Sequence, residues 1–135
     1  MASKGEAIAQ RARALIGAPY RPQGRRAQDG LDCVGVAAAA LGLDGETVTR
    51  AYQLRGSTYE RLAGELQRHG LVEAADAAMQ PGDLLIFRPG AAQLHLAIFT
   101  FDRFVHADAG LRSVVERPLP APWPLAGLWR AADAP

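Results

Sequence analysis

The sequence of 135 residues predicts a single α+β domain, in which N-terminal helices pack on a C-terminal antiparallel β-meander. Helical spacing of apolar residues is confined to the part before Gly70, and short apolar runs separated by turn residues fill the part after Gln80. This segregation of helices from strands is typical of α+β proteins. Hydrophobic residues make up 49% of the chain, enough to bury a core of ordinary size.

Three helices are predicted, over residues 5–16, 33–41 and 59–69. Apolar residues at helical spacing indicate the first and the third, and a run of small and apolar residues indicates the second. Each is followed by a glycine that can end a helix: Gly17, Gly42 and Gly70. Ser57 or Thr58 is expected to cap the third helix. The segments 20–31 and 43–57 are expected to be irregular.

Short strands are predicted in the C-terminal half, after a turn at residues 80–83. The runs rich in β-branched, aromatic and other apolar residues are 84–87, 94–101, 104–107, 113–116 and 127–130. The proline-rich segment 117–125 is expected to form an extended strap over the surface. The last five residues, 131–135, are expected to be frayed.

Composition excludes several classes of protein. The 15 basic residues nearly balance the 14 acidic ones, whereas a nucleic-acid-binding protein would show a basic excess. A single cysteine cannot form an internal disulfide or a cysteine-cluster zinc site. No apolar run is long enough to span a membrane, and the N-terminus lacks the apolar core of a signal peptide. We therefore expect a protein made in the cytoplasm without a signal peptide.

The single cysteine, Cys33, begins the second predicted helix, and two histidines lie in neighbouring predicted strands. A helix N-terminus favours negative charge and can lower the pKa of a thiol. A tight turn at residues 102–103 could place His95 and His106 side by side, as a base and the group that orients it. Taken singly, each is more often a buried structural residue. His69, at the end of the third helix, is expected to have no chemical role.

Five segments, in this order, resemble the NlpC/P60 family of cysteine peptidases: ARALIGAPYR, GLDCVGV, PGDLLIF, LHLAIF and FVHADAG. The most specific part is the D-C-x-G motif followed by the two spaced histidines, and the resemblance spans residues 8–110. It implies a papain-like NlpC/P60 fold without a metal or an organic cofactor. It also implies hydrolysis of peptide stems of bacterial peptidoglycan, commonly at the D-γ-glutamyl–diaminopimelate bond, through an acyl-enzyme.

The resemblance also implies a role for each motif residue. Cys33 would be the nucleophile, His95 the general base and His106 the orienting group. The hydroxyl of Tyr20 would lie near the nucleophile and help to polarise the substrate carbonyl, although a core aromatic residue would fit the same pattern. Asp32 would receive a free amine of the substrate, and it can cap the second helix at the same time.

The sequence departs from the family pattern around these residues. Val34 follows the cysteine where the family usually has serine, which leaves the substrate preference open. After the motif tyrosine, the loop contains Arg21, Arg25 and Arg26 in place of the usual glycine-rich segment. These arginines are expected to bind carboxylates of an acidic stem peptide. A solvated loop is the alternative.

The small size, the absence of a signal peptide and the tail ERPLPAPWPLAGLWR resemble a subgroup found with phage tails and gene transfer agents. This implies carriage on such a particle and targeting by a tail-tip protein, because residues 1–135 hold one catalytic domain and no separate wall-binding module. Three alternatives remain open: an inactive structural tail component, a papain-like amidase or acyltransferase, and an unrelated α+β protein.

Overall fold

The structure, a computed structural model, describes residues 3–43, 58–74 and 77–132. Within these ranges it contains three helices, α1 (Lys4–Ala14), α2 (Cys33–Leu41) and α3 (Tyr59–Arg68). The same ranges contain eight strands: β1 (Arg25–Arg26), β2 (Gly30–Leu31), β3 (Leu71–Glu73), β4 (Leu84–Gly90), β5 (Gln93–Phe99), β6 (Arg103–Asp108), β7 (Ser113–Pro118) and β8 (Leu125–Ala131). The predicted α+β class is confirmed.

The helix ends follow from local hydrogen bonding. Ser3 caps α1 in a reciprocal arrangement with Glu6, in which each side chain accepts from the other residue's backbone N–H. This places α1 one residue earlier at its start than predicted and two residues earlier at its end. Thr58, one of the two predicted caps, accepts from the backbone N–H of Arg61 and begins α3. Gly42 adopts the left-handed conformation that ends α2.

The six-stranded antiparallel sheet has the order β3-β8-β4-β5-β6-β7. The predicted meander is therefore only part of the sheet, because β4 to β7 follow in sequence but β8 returns to pair with the other side of β4. β3 and the two-residue strands β1 and β2 were not predicted. They are too short to show an alternating pattern of apolar residues.

The alternation of side chains along the central strands builds a core on each face of the sheet. On β4 and β5, Leu84 and Ile98 face the cluster shared with the helices. Their sequence neighbours Leu85 and Phe99 face the opposite cluster. The connection between β7 and β8 packs against this second cluster, so the predicted strap is partly buried: Leu119, Ala121 and Trp123.

Two predictions fall wholly or mainly on residues that the structure does not describe. The irregular segment 43–57 lies outside the described residues except for residue 43, and the frayed C-terminus lies outside them from residue 133. Residue 131, predicted to be frayed, instead ends β8. Among the helices described, none combines the length and the apolar character required to cross a membrane.

Candidate active site

Cys33 is the first residue of α2, and the preceding residue fixes the start of that helix. The side chain of Asp32 accepts a hydrogen bond of 2.8 Å from the backbone N–H of Gly35. Its backbone carbonyl accepts from the N–H of Val36 at 2.9 Å. These bonds satisfy two donors of the first helical turn, and Cys33 is held at the end where the backbone N–H groups point outward. The cap role predicted for Asp32 is confirmed.

The loop before α2 is organised around the Asp32 carboxylate. Its Oδ2 accepts from the backbone N–H of Gln23 and its Oδ1 from Nη1 of Arg25, each at 2.8 Å. The Arg25 side chain is only 5% exposed. The structure thus places Arg25 in the scaffold of the loop, and not on the wall of the cavity where a substrate carboxylate would reach it.

A cavity of about 510 Å³ opens where β5 and β6 separate. The two strands pair only at Ile98–Val105 and Phe99–Phe104, and their other ends diverge. The N-terminus of α2 approaches this gap from the helical side of the sheet. The lining residues come from all these segments: Tyr20, Pro22, Gln23, Asp32, Cys33, Val34, Pro89, Gln93, Leu94, His95, His106, Ala107, Asp108, Ala109 and Trp123.

The two histidines of β5 and β6 are joined directly, which confirms their predicted proximity. Nε2 of His95 lies 2.8 Å from Nδ1 of His106, and the two rings are nearly perpendicular. Since one nitrogen must donate and the other accept, the pair fixes the tautomers together. If Nδ1 of His106 accepts, its proton lies on Nε2, and Nδ1 of His95 is left unprotonated. That nitrogen is then free to act as a base.

Cys33 lies against the same strand. Its sulfur interacts with the backbone N–H of Leu96, the residue after His95 on β5. Cys33 packs with the helix-side cluster, whereas the rings of His95 and His106 contact Trp123 on the other side of the sheet. Cys33 and the histidine pair therefore come from opposite layers, and all three residues line the same cavity.

Burial dominates the electrostatics of these groups. It lowers the pKa of His95 to about 4, with a further lowering by His106 and a partial restoration by Asp108. Burial also lowers the pKa of His106 to about 4, against the opposing charge of Asp108. Both imidazoles are therefore neutral at pH 7, the form that can accept a proton.

Burial also raises the pKa of the Cys33 thiol to about 12. The N–H of Leu96 and the charge of Arg25 favour the thiolate, but desolvation, together with the Asp32 carboxylate, outweighs them. In this environment, the position of Cys33 at a helix N-terminus does not bring the pKa of its thiol below the ordinary value. A neutral thiol of this kind can act as a nucleophile only if a base takes its proton.

Of the remaining residues predicted to act at the site, Tyr20 lines the cavity and the arginines do not. Tyr20 lines the cavity, and desolvation, followed by the charges of Asp32 and Cys33, raises the pKa of its hydroxyl, which keeps it a donor at neutral pH. Arg21 and Arg26 are exposed and do not line the cavity. His69 caps the C-terminus of α3, and its Nε2 lies 3.4 Å from the Glu65 carboxylate. The His69 side chain does not line this cavity.

Several lining residues escaped the sequence analysis, above all Trp123 and Asp108. The Trp123 ring lies 5.1 Å from the ring of His95 and 5.6 Å from that of His106. It covers both histidines and removes water from them. A tryptophan in a proline-rich strap gives no sequence signal of where it folds. Asp108 carried a signal, since it lies two residues after His106 in the same strand and so shares its face.

These groups together can perform acyl transfer. A thiol at a helix N-terminus, a neutral imidazole lining the same cavity and a second imidazole that fixes its tautomer are elements of nucleophilic catalysis at a carbonyl carbon. The start of α2 and the Tyr20 hydroxyl supply further hydrogen-bond donors to the same cavity.

The sequence matches no protein-family model and no curated protein. Solved structures are similar in fold. NlpC1 from Trichomonas vaginalis superposes with a TM-score of 0.68 at 20% identity, over 96% of this chain and 46% of that one. The NlpC/P60 domain of the peptidoglycan hydrolase SagA gives 0.57 at 24% identity, over 84% and 88%. The peptidoglycan hydrolase RipB from Mycobacterium tuberculosis gives 0.61 at 19% identity, over 96% and 65%.

The chain spans about half the length of the two Trichomonas proteins, NlpC1 and NlpC2. Its likeness to the SagA domain, by contrast, extends over most of both chains. At these identities the comparisons establish architecture and leave the chemistry to the residues of the site. The chain has the fold of NlpC/P60 domains.

Proposed function

We propose that this protein is a cysteine peptidase that hydrolyses the peptide stems of bacterial peptidoglycan, at the bond between D-γ-glutamate and diaminopimelate. The observation that supports the proposal most directly is one cavity lined by Cys33, at the N-terminus of α2, and by the hydrogen-bonded pair His95–His106. The likeness in fold to the peptidoglycan hydrolases SagA and RipB supports the choice of substrate class.

In the first half of the reaction, the Cys33 thiol attacks the carbonyl carbon of the scissile bond. Because the thiol is neutral and its pKa is raised, its proton passes to Nδ1 of His95 as the carbon–sulfur bond forms. The resulting imidazolium then gives that proton to the leaving amine as the carbon–nitrogen bond breaks. The product is a thioester on Cys33 and a free amine.

In the second half, water attacks the thioester carbon and gives a proton to His95. The carbon–sulfur bond then breaks, the proton returns from His95 to the sulfur, and the products are a carboxylic acid and the restored Cys33 thiol. The bond to His106 keeps the His95 ring in the orientation that both halves require. The oxyanion formed in each half is proposed to lie at the start of α2, within reach of backbone N–H groups and the Tyr20 hydroxyl. One such donor is typically worth about 2.7–4 kcal/mol in acyl transfer.

Asp32 is proposed to anchor a free amine of the stem peptide. It lines the cavity, and its Oδ2 accepts a hydrogen bond from the N–H of Gln23, so a lone pair of that oxygen is left for a substrate donor. Arg21, exposed in the same loop, is proposed to contact a carboxylate of the stem. The buried position of Arg25 makes it a support for Asp32 and not a direct contact.

The test is a digest of purified tripeptide and tetrapeptide stems, followed by mass spectrometry. Wild type should release L-Ala-D-Glu, whereas Cys33→Ala should release nothing. If wild type cuts a different bond, the assigned specificity is wrong. If wild type fails on both the soluble stems and intact peptidoglycan, the peptidase proposal is overturned in favour of a structural component. Adding an amine acceptor and searching for its acylated product distinguishes an acyltransferase.

Delivery by a phage-like or gene-transfer-agent particle, with a tail-tip protein as partner, is a separate proposal that rests on the sequence resemblance. Mass spectrometry of purified particles from the source strain tests it. The protein should be found in the particle fraction with tail proteins, and its absence from particles that contain all other tail proteins would contradict it.

A further inference from the structure

A further polar side chain, that of Asp108, lies beyond the hydrogen-bonded pair His95–His106. We propose that Asp108 is a positioning residue that holds the His106 ring in the tautomer with the proton on Nε2, and so leaves Nδ1 of His95 free to take the thiol proton. The proposal deepens the proposed function, and its catalytic consequence rests on that function. The tautomer itself can be measured without any substrate.

The position of Asp108 follows from the strand. It lies two residues after His106 on β6, so both side chains project from the same face. Its Oδ1 accepts a hydrogen bond of 3.0 Å from the backbone N–H of Leu111, which holds the carboxylate in place at the end of the strand. Its Oδ2 lies 4.0 Å from Nε2 of His106.

The His106 ring supplies the second observation. The residue is only 2% exposed, and its Nε2 is buried without a hydrogen-bond partner, whereas its Nδ1 is bonded to His95. A buried polar atom left in this state costs free energy, so Nε2 needs an acceptor. At 4.0 Å the contact with Asp108 is electrostatic and not yet a hydrogen bond. Catalytic hydrogen bonds are often long in a resting enzyme and shorten when the substrate binds.

Charged and titratable groups face His106 from three strands. His95 on β5 occupies its Nδ1, Asp108 on β6 lies beyond Nε2, and Arg117 on β7 lowers its pKa by repulsion. The rings of Phe104 and Trp123 complete its surroundings. Among these described neighbours, Asp108 alone offers an acceptor oxygen to Nε2. A carboxylate there favours the Nε2–H tautomer and also stabilises the positive charge that His95 gains during the reaction.

The variant Asp108→Asn is expected to change the tautomer of His106 without disturbing the fold. Its amide oxygen can still accept from the Leu111 N–H, so the loop contact is retained. Its NH₂ group would then face Nε2 of His106 as a donor. That arrangement favours the opposite His106 tautomer, in which Nδ1 donates to His95 and Nδ1 of His95 becomes protonated. Asp102→Asn is the matched control, because it removes the same charge from a side chain that is 82% exposed at the far end of β6.

The first readout is the ¹⁵N spectrum of the histidine rings, recorded for Asp108→Asn and Asp102→Asn in the Cys33→Ala background. We expect the proton on His106 to move from Nε2 to Nδ1 in Asp108→Asn alone. We also expect the titration midpoints of both histidines to fall, since the carboxylate that raises their pKa values is gone. An unchanged tautomer in a folded Asp108→Asn protein overturns the proposal, whether or not wild type cleaves a stem peptide.

The second readout is catalysis on a stem peptide. Asp108→Asn should lower kcat about 10–100-fold, the range found when a partner that orients a metal-bound histidine is removed, with little change in KM. The acid limb of its pH–rate profile should shift to lower pH. The variant Asp108→Glu, which keeps a carboxylate, should recover part of kcat. If Asp108→Asn retained the wild-type kcat and the acid limb of its pH–rate profile did not move, the positioning role would be overturned. Inactive wild type would count against the proposed function alone, and the spectra would still decide the tautomer.

Discussion

His95 and His106 share a hydrogen bond of 2.8 Å between Nε2 of the first ring and Nδ1 of the second, with the ring planes 88° apart. The bond crosses from β5 to β6 at the point where the two strands have stopped pairing. It occupies Nε2 of His95 and leaves Nδ1 of that ring outside the bond. The orientation of the His95 ring thus depends on what occupies position 106.

Two substitutions of similar size test this dependence. His106→Asn keeps an amide oxygen that can accept from Nε2–H of His95, and His106→Leu keeps the bulk without an acceptor. We expect His106→Leu to lower kcat about 10²–10⁴-fold, the range attributed to a positioned acid–base group. His106→Asn should retain clearly more activity. Steady-state kinetics on a stem peptide measure both, and equal losses in the two folded variants would show that the acceptor is not what matters.

The raised pKa of Cys33 gives a prediction about thiol reactivity. With a pKa of about 12, the thiolate fraction should grow about tenfold for each pH unit between 7 and 10. The rate of alkylation by iodoacetamide should rise in the same way, because only the thiolate reacts. A rate profile with an inflection below pH 8 would show instead a pre-formed thiolate–imidazolium pair. Cys33→Ala supplies the background rate.

The sequence was sufficient to predict the helices and the central strands, because their apolar residues recur at helical or strand spacing. It also predicted the meeting of His95 and His106, since a tight turn joins their strands. It did not predict the placement of β8 beside β4, a contact between residues far apart in the chain. Short strands such as β3 hold too few residues to show a period.

The sequence predicted that Cys33, His95 and His106 belong to one site, but it did not predict the electrostatics of that site or all of its members. The D-C-x-G motif places Cys33 at a helix N-terminus, but the burial that raises the thiol pKa arises from packing against β5 and the surrounding strands. Trp123 reaches the histidines only because the strap between β7 and β8 folds back over the sheet. Arg25 was expected at the substrate, and its burial beside Asp32 depends on how the loop closes.

A substitution at Gly35 tests how closely the loop at Gly24 approaches α2. A Cβ on Gly35 would collide with the backbone carbonyl of Gly24 and crowd Leu31. We expect Gly35→Ala to destabilise the protein by about 1–3 kcal/mol through overpacking and to displace the start of α2. Gly64→Ala is the control, because a Cβ there meets nothing within 4 Å and α3 should gain about 0.5–1 kcal/mol. Denaturant unfolding measures both, and a stable, active Gly35→Ala would contradict the close approach.

Arg25 and Arg26 are adjacent and differ in surroundings. Arg25 is bonded to the Asp32 carboxylate and to the carbonyl of Gly24, whereas Arg26 has a 68% exposed side chain and a loose contact with Asp29. We expect Arg25→Ala to lower the free energy of unfolding by about 1.5–3 kcal/mol, the contribution of hydrogen bonds to charged groups. It should also raise KM by loosening Asp32. Arg26→Ala should change stability by less than about 1 kcal/mol. Similar losses in thermal unfolding would contradict this division.

Trp123 covers both histidines, and its removal should change their titration. Burial lowers each histidine pKa to about 4, so the folded protein binds fewer protons than the unfolded chain below pH 6.5. Wild type should therefore lose stability as the pH falls from about 6.5 towards 4. Trp123→Ala admits water, which should raise both pKa values and make this loss shallower.

The same substitution predicts a kinetic shift of defined sign. Because His95 must be neutral to accept the thiol proton, a higher pKa moves the acid limb of kcat/KM to higher pH. Trp123→Phe, which keeps an aromatic cover, should leave the limb close to that of wild type. Asp108→Asn should move the limb the opposite way, since it removes a charge that favours protonation. If Trp123→Ala and Asp108→Asn shifted it in the same direction, desolvation by Trp123 would not be what lowers the pKa of His95.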